Sequence, residues 1–292
     1  MPEGPEVKVM MNFIATISLG QTLISVQVIN EGFKKKTKGL DNLILPKKVI
    51  AVESKGKFGY IQLDDQSSIG FTFGMSGSFN VPGSRVDMKH NKVEFRTDHE
   101  TYPVFYFHCI RNFEWVYYFS SKELKNKLES IGPSILSPDQ LDQATLIRIW
   151  RRYSSSTICE TLMEQKLVSG IGNYIKAEIL YRTQTYPLAK VKDLTDEHLW
   201  RLYQEAVIVA TEAYHDGGAS LYTYTDTEGE KTLYKLKLQV YNRSKDPEGR
   251  PVERLSTPDK RTTHWVSSVQ TVGRPVPVVR PKIKAKLKSQ PH

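Results

Sequence analysis

The hydrophobic pattern of this 292-residue chain passes from mostly strand-like to helical near its middle. Val7, Met10, Met11, Ile14 and Ile17 recur at helical spacing behind Pro5, which predicts a leading helix. Seven β-rich runs follow: Thr22 to Ile29, Lys48 to Glu53, Gly59 to Leu63, Ser68 to Phe73, Val93 to Thr97, Val104 to Cys109 and Glu114 to Phe119. Their even spacing between turn residues predicts a sandwich or barrel. A cluster of Gly, Pro, Ser and Asp between Gly132 and Asp142 marks a boundary. Past it, Leu141 to Tyr153, Ile158 to Val168, Asn173 to Thr183 and Thr195 to Tyr214 carry apolar residues at i, i+3 and i+4, and so read as helices. Strand patterns return at Lys235 to Tyr241, then at Val252 to Ser256 and Thr262 to Val269 around the turn Thr257-Pro258-Asp259-Lys260. No internal repeat of useful period is present.

Composition narrows the class. With 39% hydrophobic and 25% charged residues the chain reads as an ordinary globular protein of about two domains. The most apolar helical stretch, near Ala206 to Ala210, is too short to span a bilayer, and acids stand where a signal peptide carries basic residues. Cytoplasm or nucleus is the expected location. Two cysteines, Cys109 and Cys159, build neither a disulfide framework nor a Cys-rich zinc site, and both read as buried apolar side chains. The net charge of +9 points to a polyanionic partner. Six basic residues lie in the acid-free stretch 274–292, which reads as a disordered basic tail.

Two motifs could carry chemistry. In Met1-Pro2-Glu3-Gly4-Pro5-Glu6, removal of Met1 would leave Pro2 as a secondary amine, with an appreciable neutral fraction at pH 7. Such an amine attacks sugar C1 or an aldehyde, and the resulting cation is an electron sink. Glu3 and Glu6 would then be paired carboxylates, one to protonate a leaving group or ring oxygen, the other to orient it or move protons. The plain alternative is that Pro and Glu merely start a helix well. In Ser169-Gly170-Ile171-Gly172-Asn173 two glycines permit a tight turn and the next helix opens on Asn, so free backbone N–H groups and the Asn amide could face a phosphate. Most such turns are only connections.

These motifs, with Ser54-Lys55-Gly56-Lys57, Phe73-Gly74-Met75-Ser76-Gly77, Arg111-Asn112-Phe113 and the run from Ile158 to Arg182, occur in the order found in a known family. The chain resembles the formamidopyrimidine-DNA glycosylase/endonuclease VIII family over residues 1 to about 270. The resemblance implies an α+β fold: an N-terminal β-sandwich with a leading helix (1–135), a linker (136–142), a helix-two-turn-helix domain (143–230) and a β-hairpin finger (231–273) ahead of the tail (274–292). It implies a nucleophile at Pro2, an acid at Glu3 that protonates the opening deoxyribose, an assisting acid at Glu6, and Lys57 gripping the phosphates beside the lesion. Asn173 and Arg261 would bind phosphate as well. Met75, Arg111 and Phe113 would fill the hole left by a flipped nucleotide, an apolar wedge and a ring replacing stacking while guanidinium pairs with the orphaned base. Taken singly, Met75 and Phe113 would read as core and Lys57 as a solvated charge. The segment Lys231 to Arg261 holds nine basic and four acidic residues, so a phosphate-facing hairpin is plausible from charge alone.

Two departures sharpen the expectation. No cysteine follows Cys159, and Val266 and Val269 stand where bacterial relatives place a second pair of zinc cysteines. The finger is therefore expected to be zincless, packed on Trp265, Val252 and Leu255, as in the vertebrate Nei-like and giant-virus branch. Tyr222-Thr223-Tyr224 replaces an Arg-Asp-Phe run of the guanine-preferring branch, which shifts the expectation from 8-oxoguanine to pyrimidine lesions.

The expected activity is that of a bifunctional DNA glycosylase/AP lyase of base-excision repair, acting by a Schiff base on Pro2 and β,δ-elimination, with no cofactor and no metal. The expected partner is double-stranded DNA holding oxidised bases or abasic sites, with single-stranded DNA a further candidate. A monomer is expected, located in the nucleus or wherever the genome lies, the host cell for a viral chain. Two rival readings are a damage-binding or architectural protein without turnover and a ribosomal-type RNA binder. Intact Pro2, Glu3 and Lys57 disfavour the first; the hexapeptide and the Met75 loop disfavour the second.

Overall fold

A computed structural model describes residues 1–84, 88–137, 141–218 and 237–275. Helix α1 (Gly4–Ser18) buries Val7, Met10, Met11 and Ile14, the stripe its spacing predicts. Nine strands follow: β1 (Thr22–Val28), β2 (Thr37–Lys38), β3 (Lys47–Lys55), β4 (Phe58–Leu63), β5 (Ser68–Thr72), β6 (Ser78–Asn80), β7 (Asn91–Thr97), β8 (Val104–His108) and β9 (Trp115–Phe119). They pair in the order β2-β9-β5-β4-β3-β1-β7-β8-β6. β1 and β3 share only the pairs Thr22↔Lys48 and Leu23↔Lys47, and there the sheet folds over on itself. Phe71 of β5 consequently meets the rings of Phe79, Phe107 and Phe95 from the other half at 5.0, 5.5 and 5.9 Å. That aromatic filling makes the expected sandwich.

The helical half comprises α3 (Gln143–Arg151), α4 (Ile158–Met163), α5 (Asn173–Arg182) and α6 (Asp196–His215), reached through α2 (Ser121–Glu129). Trp150, Leu162, Ile175, Ile179, Leu202 and Ala206 form its core. The cores meet along the connection: Ile131 packs with Phe58 and Tyr60 of the sheet, whereas Ile135 belongs to the helical core. Strands β10 (Glu253–Thr257) and β11 (Arg261–Trp265) form a separate hairpin on the expected turn. Among the described residues no helix is long and apolar enough to cross a membrane.

Several expectations need correction. Residues 237–241 are no strand, because the backbone N–H groups of Gln239, Val240 and Tyr241 bind the Glu178 carboxylate at 2.9, 3.0 and 2.8 Å instead of a partner strand. Helix α4 stops at Met163, well short of Val168, since the chain must turn to reach α5. Helix α2 was not anticipated, although its capping box, Ser120 with Glu123, is a sequence signature. The short strands β2 and β6 lacked enough alternation to register. The Tyr222-Thr223-Tyr224 run and residues 276–292 of the tail lie outside the described residues.

Candidate active site

Helix α5 organises the site. Residues Tyr174 to Tyr181 are all buried, so the helix is enclosed on every side, and its N-terminus points at the start of the chain. The turn before it is clamped by Gln165, whose amide accepts from Gly170 N at 3.0 Å and donates to Ile171 O at 2.9 Å. Gly4 N donates to Gly170 O at 2.9 Å, which docks the N-terminal segment on that turn.

Glu3 lies at this junction, 2% exposed. Its carboxylate accepts from Tyr174 N at 2.9 Å and from Ile175 N at 3.4 Å, two of the donors a helix N-terminus leaves without intrahelical partners. The phosphate socket expected at Gly172-Asn173 is thus filled by the protein's own carboxylate. Gly172 makes this possible: a Cβ there would sit 2.2 Å from Glu3 Cδ. Burial pushes the Glu3 carboxyl up to about 7, against the opposing pull of Lys57 and of the two backbone donors, while Glu6 adds to the rise. Glu3 is therefore an acid that can hold or release its proton near neutrality.

Glu6 is fully buried and accepts from Glu3 N at 2.7 Å and Tyr174 Oη at 3.0 Å. These bonds fix the peptide that follows Pro2. Lys57 stands in the two-residue turn between β3 and β4, where Gly56 takes φ +57° and sits so close to Ser169 that a Cβ would meet it at 2.6 Å. Burial lowers the Lys57 ammonium, Glu3 counters that shift, and Arg261 and Lys176 reinforce it. Lys57, Glu3 and Arg261 thus share one electrostatic neighbourhood although they come from three parts of the chain.

The other expected residues fall into two groups. Asn173 Nδ2 donates to Thr262 O at 3.0 Å and ties α5 to the hairpin, whose exposed Arg261 opens β11. Met75, Arg111 and Phe113 come together on two loops at one end of the sandwich, Arg111 Nη1 lying 3.6 Å from Met75 Sδ. Met75 and Phe113 are 42% and 59% exposed, which excludes the core reading each would have alone. Buried Glu114 joins the loops by accepting from Ser76 N at 2.9 Å, and Ser76 Oγ accepts from Ile110 N and Arg111 N at 3.1 and 3.2 Å. Because Phe58 pairs with Thr72 and Thr72 with Trp115, these loops leave the same end of the sheet as Lys57.

Sequence reasoning missed four contributors. Gln165 and Glu114 read as surface polar residues, and Glu178 looks like an ordinary helix acid until its three backbone partners are seen. Tyr241 lies beside Glu3, Asn173 and Arg261, its hydroxyl pushed up by burial first and by Glu3 second. Both cysteines are buried, and burial raises each thiol to about 12. Among the described residues no group of three or more His, Cys, Asp or Glu could hold a metal ion.

A proton-holding acid and basic side chains from two halves of an α+β fold, gathered around one turn, define a site suited to chemistry on a polyanion. The formamidopyrimidine-DNA glycosylase N-terminal domain model matches residues 1–116, and the H2TH domain model of the same enzymes matches residues 131–225. The chain is 27% identical over 285 residues to formamidopyrimidine-DNA glycosylase of Halalkalibacterium halodurans, covering 92% of this chain and all of that one. It is also 27% identical over 249 residues to the Wolbachia pipientis enzyme, covering 85% and 90%. The crystal structure of MutM (Fpg) from Thermus thermophilus superposes with TM-score 0.80 at 26% identity, covering 93% of this chain and all of that one. The Lactococcus lactis protein, solved with DNA containing an AP site, shares the fold at TM-score 0.78 and 20% identity, covering 92% and 99%. The chain belongs to the formamidopyrimidine-DNA glycosylase family.

Proposed function

We propose that the protein is a DNA glycosylase of base-excision repair that removes oxidised bases and then cleaves the strand as an AP lyase. The observation that carries this reading is Glu3, a buried carboxyl next to Pro2 whose proton is poised at about pH 7. With Met1 removed, the Pro2 nitrogen attacks C1′ of the damaged nucleotide, the N–C1′ bond forms, and the base leaves with a proton. Glu3 protonates the ring oxygen as the deoxyribose opens, which yields an iminium on Pro2. The iminium acidifies C2′, so loss of a C2′ proton to solvent expels the 3′ phosphate by β-elimination, loss of the C4′ proton expels the 5′ phosphate by δ-elimination, and water then hydrolyses the iminium to free Pro2.

Lys57, Asn173 and Arg261 bind the phosphates that bracket the flipped nucleotide, Glu6 holds the Glu3 peptide, and Met75, Arg111 and Phe113 occupy the vacated stack. Duplex DNA with an oxidised base or abasic site is the substrate. Pyrimidine lesions are preferred, on the strength of Tyr222-Thr223-Tyr224. The hairpin works as a finger without zinc.

Abasic duplex with sodium borohydride tests the chemistry. A covalent protein–DNA adduct that maps to Pro2 is the expected product, and no adduct from protein with a free Pro2 would overturn the lyase reading. A second expected result concerns the finger: prolonged chelation leaves the rate of base release unchanged, because 231–273 has no cysteine to bind zinc. Loss of rate with EDTA and its return with zinc would refute a metal-free finger.

A further inference from the structure

A hairpin without a metal needs another device to aim its tip, and one lies beneath it. Lys176 of α5 is 0% exposed, and its Nζ sits 2.5 Å from Oδ2 of Asp259, itself 3% exposed, in the turn between β10 and β11. Thr257 Oγ1 lies 2.5 Å from Asp259 Oδ1, to which it donates its single proton, and 2.9 and 3.0 Å from Thr263 Oγ1 and Arg261 O. One helical turn before Lys176, Asn173 donates to Thr262 O. Arg261 is therefore bracketed: Asp259 is held on one side by Lys176, and Thr262 on the other by Asn173. Packing alone does not achieve this, for Trp265 rests on Tyr186 at 5.5 Å and Val266 on Ala177, Tyr181 and Val240, all at the far end of the hairpin from its tip. Leu255, expected to share that packing, belongs to none of the buried apolar clusters of the described residues.

The geometry points to Lys176 and Asp259 as positioning residues that replace a metal in this finger, fixing the hairpin tip so that Arg261 faces the backbone of the bound strand. A fully buried ion pair is poor evidence of stability, because desolvation of both charges offsets most of their attraction. Its distinctive property is direction, since a charge pair tolerates fewer arrangements than an apolar contact.

The inference rests on the reading of the hairpin as a phosphate-gripping finger, and its test separates the two. Lys176→Met with Asp259→Leu removes the pair without stranding a charge. The double variant is expected to fold, to keep its kcat on abasic duplex at saturation, and to show a KM for lesion duplex raised about tenfold, the effect of losing one charge-assisted contact. Adding Arg261→Ala to it should cost nothing more, whereas Arg261→Ala in the parent should raise KM by the same factor. Lys176→Arg, which keeps the charge, should retain the parent KM. Lys176→Gln with Asp259→Asn keeps polar groups of similar shape, strands no charge and gives the same readout should the apolar pair fail to fold. Parent-like KM in these variants, or full additivity with Arg261→Ala, would overturn the inference. No effect of Arg261→Ala alone would remove it together with the finger reading, while borohydride trapping on Pro2 would still report on the catalytic one.

Discussion

Glu3→Gln slows release of an intact damaged base by about a hundredfold to ten-thousandfold, the range of a lost general acid, yet leaves cleavage of a pre-formed abasic site nearly unchanged. The split arises because the open-chain aldehyde of an abasic site needs no ring-opening proton. The parent shows the same dependence through pH. Burial first, with Glu6 adding, holds the Glu3 carboxyl at about 7, so base release falls about tenfold per pH unit above that value while abasic cleavage lacks this alkaline limb. Stability follows the same proton. Between the ordinary carboxyl value of 4.5 and about 7 the folded chain binds the proton that the unfolded chain has lost, so stability declines as pH rises through this window. At neutral and alkaline pH the charged carboxylate costs about 3 kcal/mol, and Glu3→Gln should recover part of it. Denaturant midpoints for parent and variant at pH 5 and pH 8 measure this; a gap between them that does not widen at pH 8 would contradict the assignment.

Gly172→Ala is the second large effect, and it tests geometry rather than titration. Gly172 has an extended backbone, φ −130° and ψ −157°, that alanine adopts freely, so only space is at stake. A Cβ would lie 2.2 Å from Glu3 Cδ and 2.4 Å from Oε1, and the carboxyl must leave. Tyr174 N and Ile175 N then lose their acceptor in a buried setting, at about 1–3 kcal/mol for each. Base release should fall as far as in Glu3→Gln, and the melting temperature should fall as well, which Glu3→Gln at pH 8 does not predict. Unimpaired base release in Gly172→Ala would show that Glu3 can act from another position.

The two halves and most of their elements were legible because α1 keeps a helical period and strands such as β3 to β5 are short β-rich runs set between turn residues. What stayed hidden depends on partners distant in the chain. Residues 237–241 have the composition of a strand, but their donors are claimed by Glu178, 61 to 63 positions away. At the Gly172-Asn173 turn the helix N-terminus has the donors expected of an anion site, but its backbone N–H groups go to the Glu3 carboxylate and leave only the Asn173 side chain for a phosphate. Met75 and Phe113 illustrate the reverse: apolar residues that local pattern would bury are exposed because Ser76 and Glu114 hold their loops outward. The chemistry of the first six residues offered Pro2 and Glu3 as candidates, but only the shared order with a family weighed them above a plain helix start and drew in Lys57, since nothing local distinguishes an acid that caps its own helix from one that caps a helix 171 residues away.

That separation bears on when the protein becomes reactive during synthesis. Helix α1 can join the aromatic core of the sandwich as soon as the sheet is complete, because Met10, Met11 and Ile14 need only strand partners. Glu3 lacks its burial and its backbone donors until α5 and its turn exist, so its proton affinity depends on partners 171 and 172 positions away. A nascent chain that ends before Asn173 lacks the Tyr174 and Ile175 donors and the cover of α5, so the burial that raises the Glu3 carboxyl arises only once that helix is in place. On the proposed reading of Glu3 as the ring-opening acid, the site is therefore complete only when the helical half closes over the N-terminus.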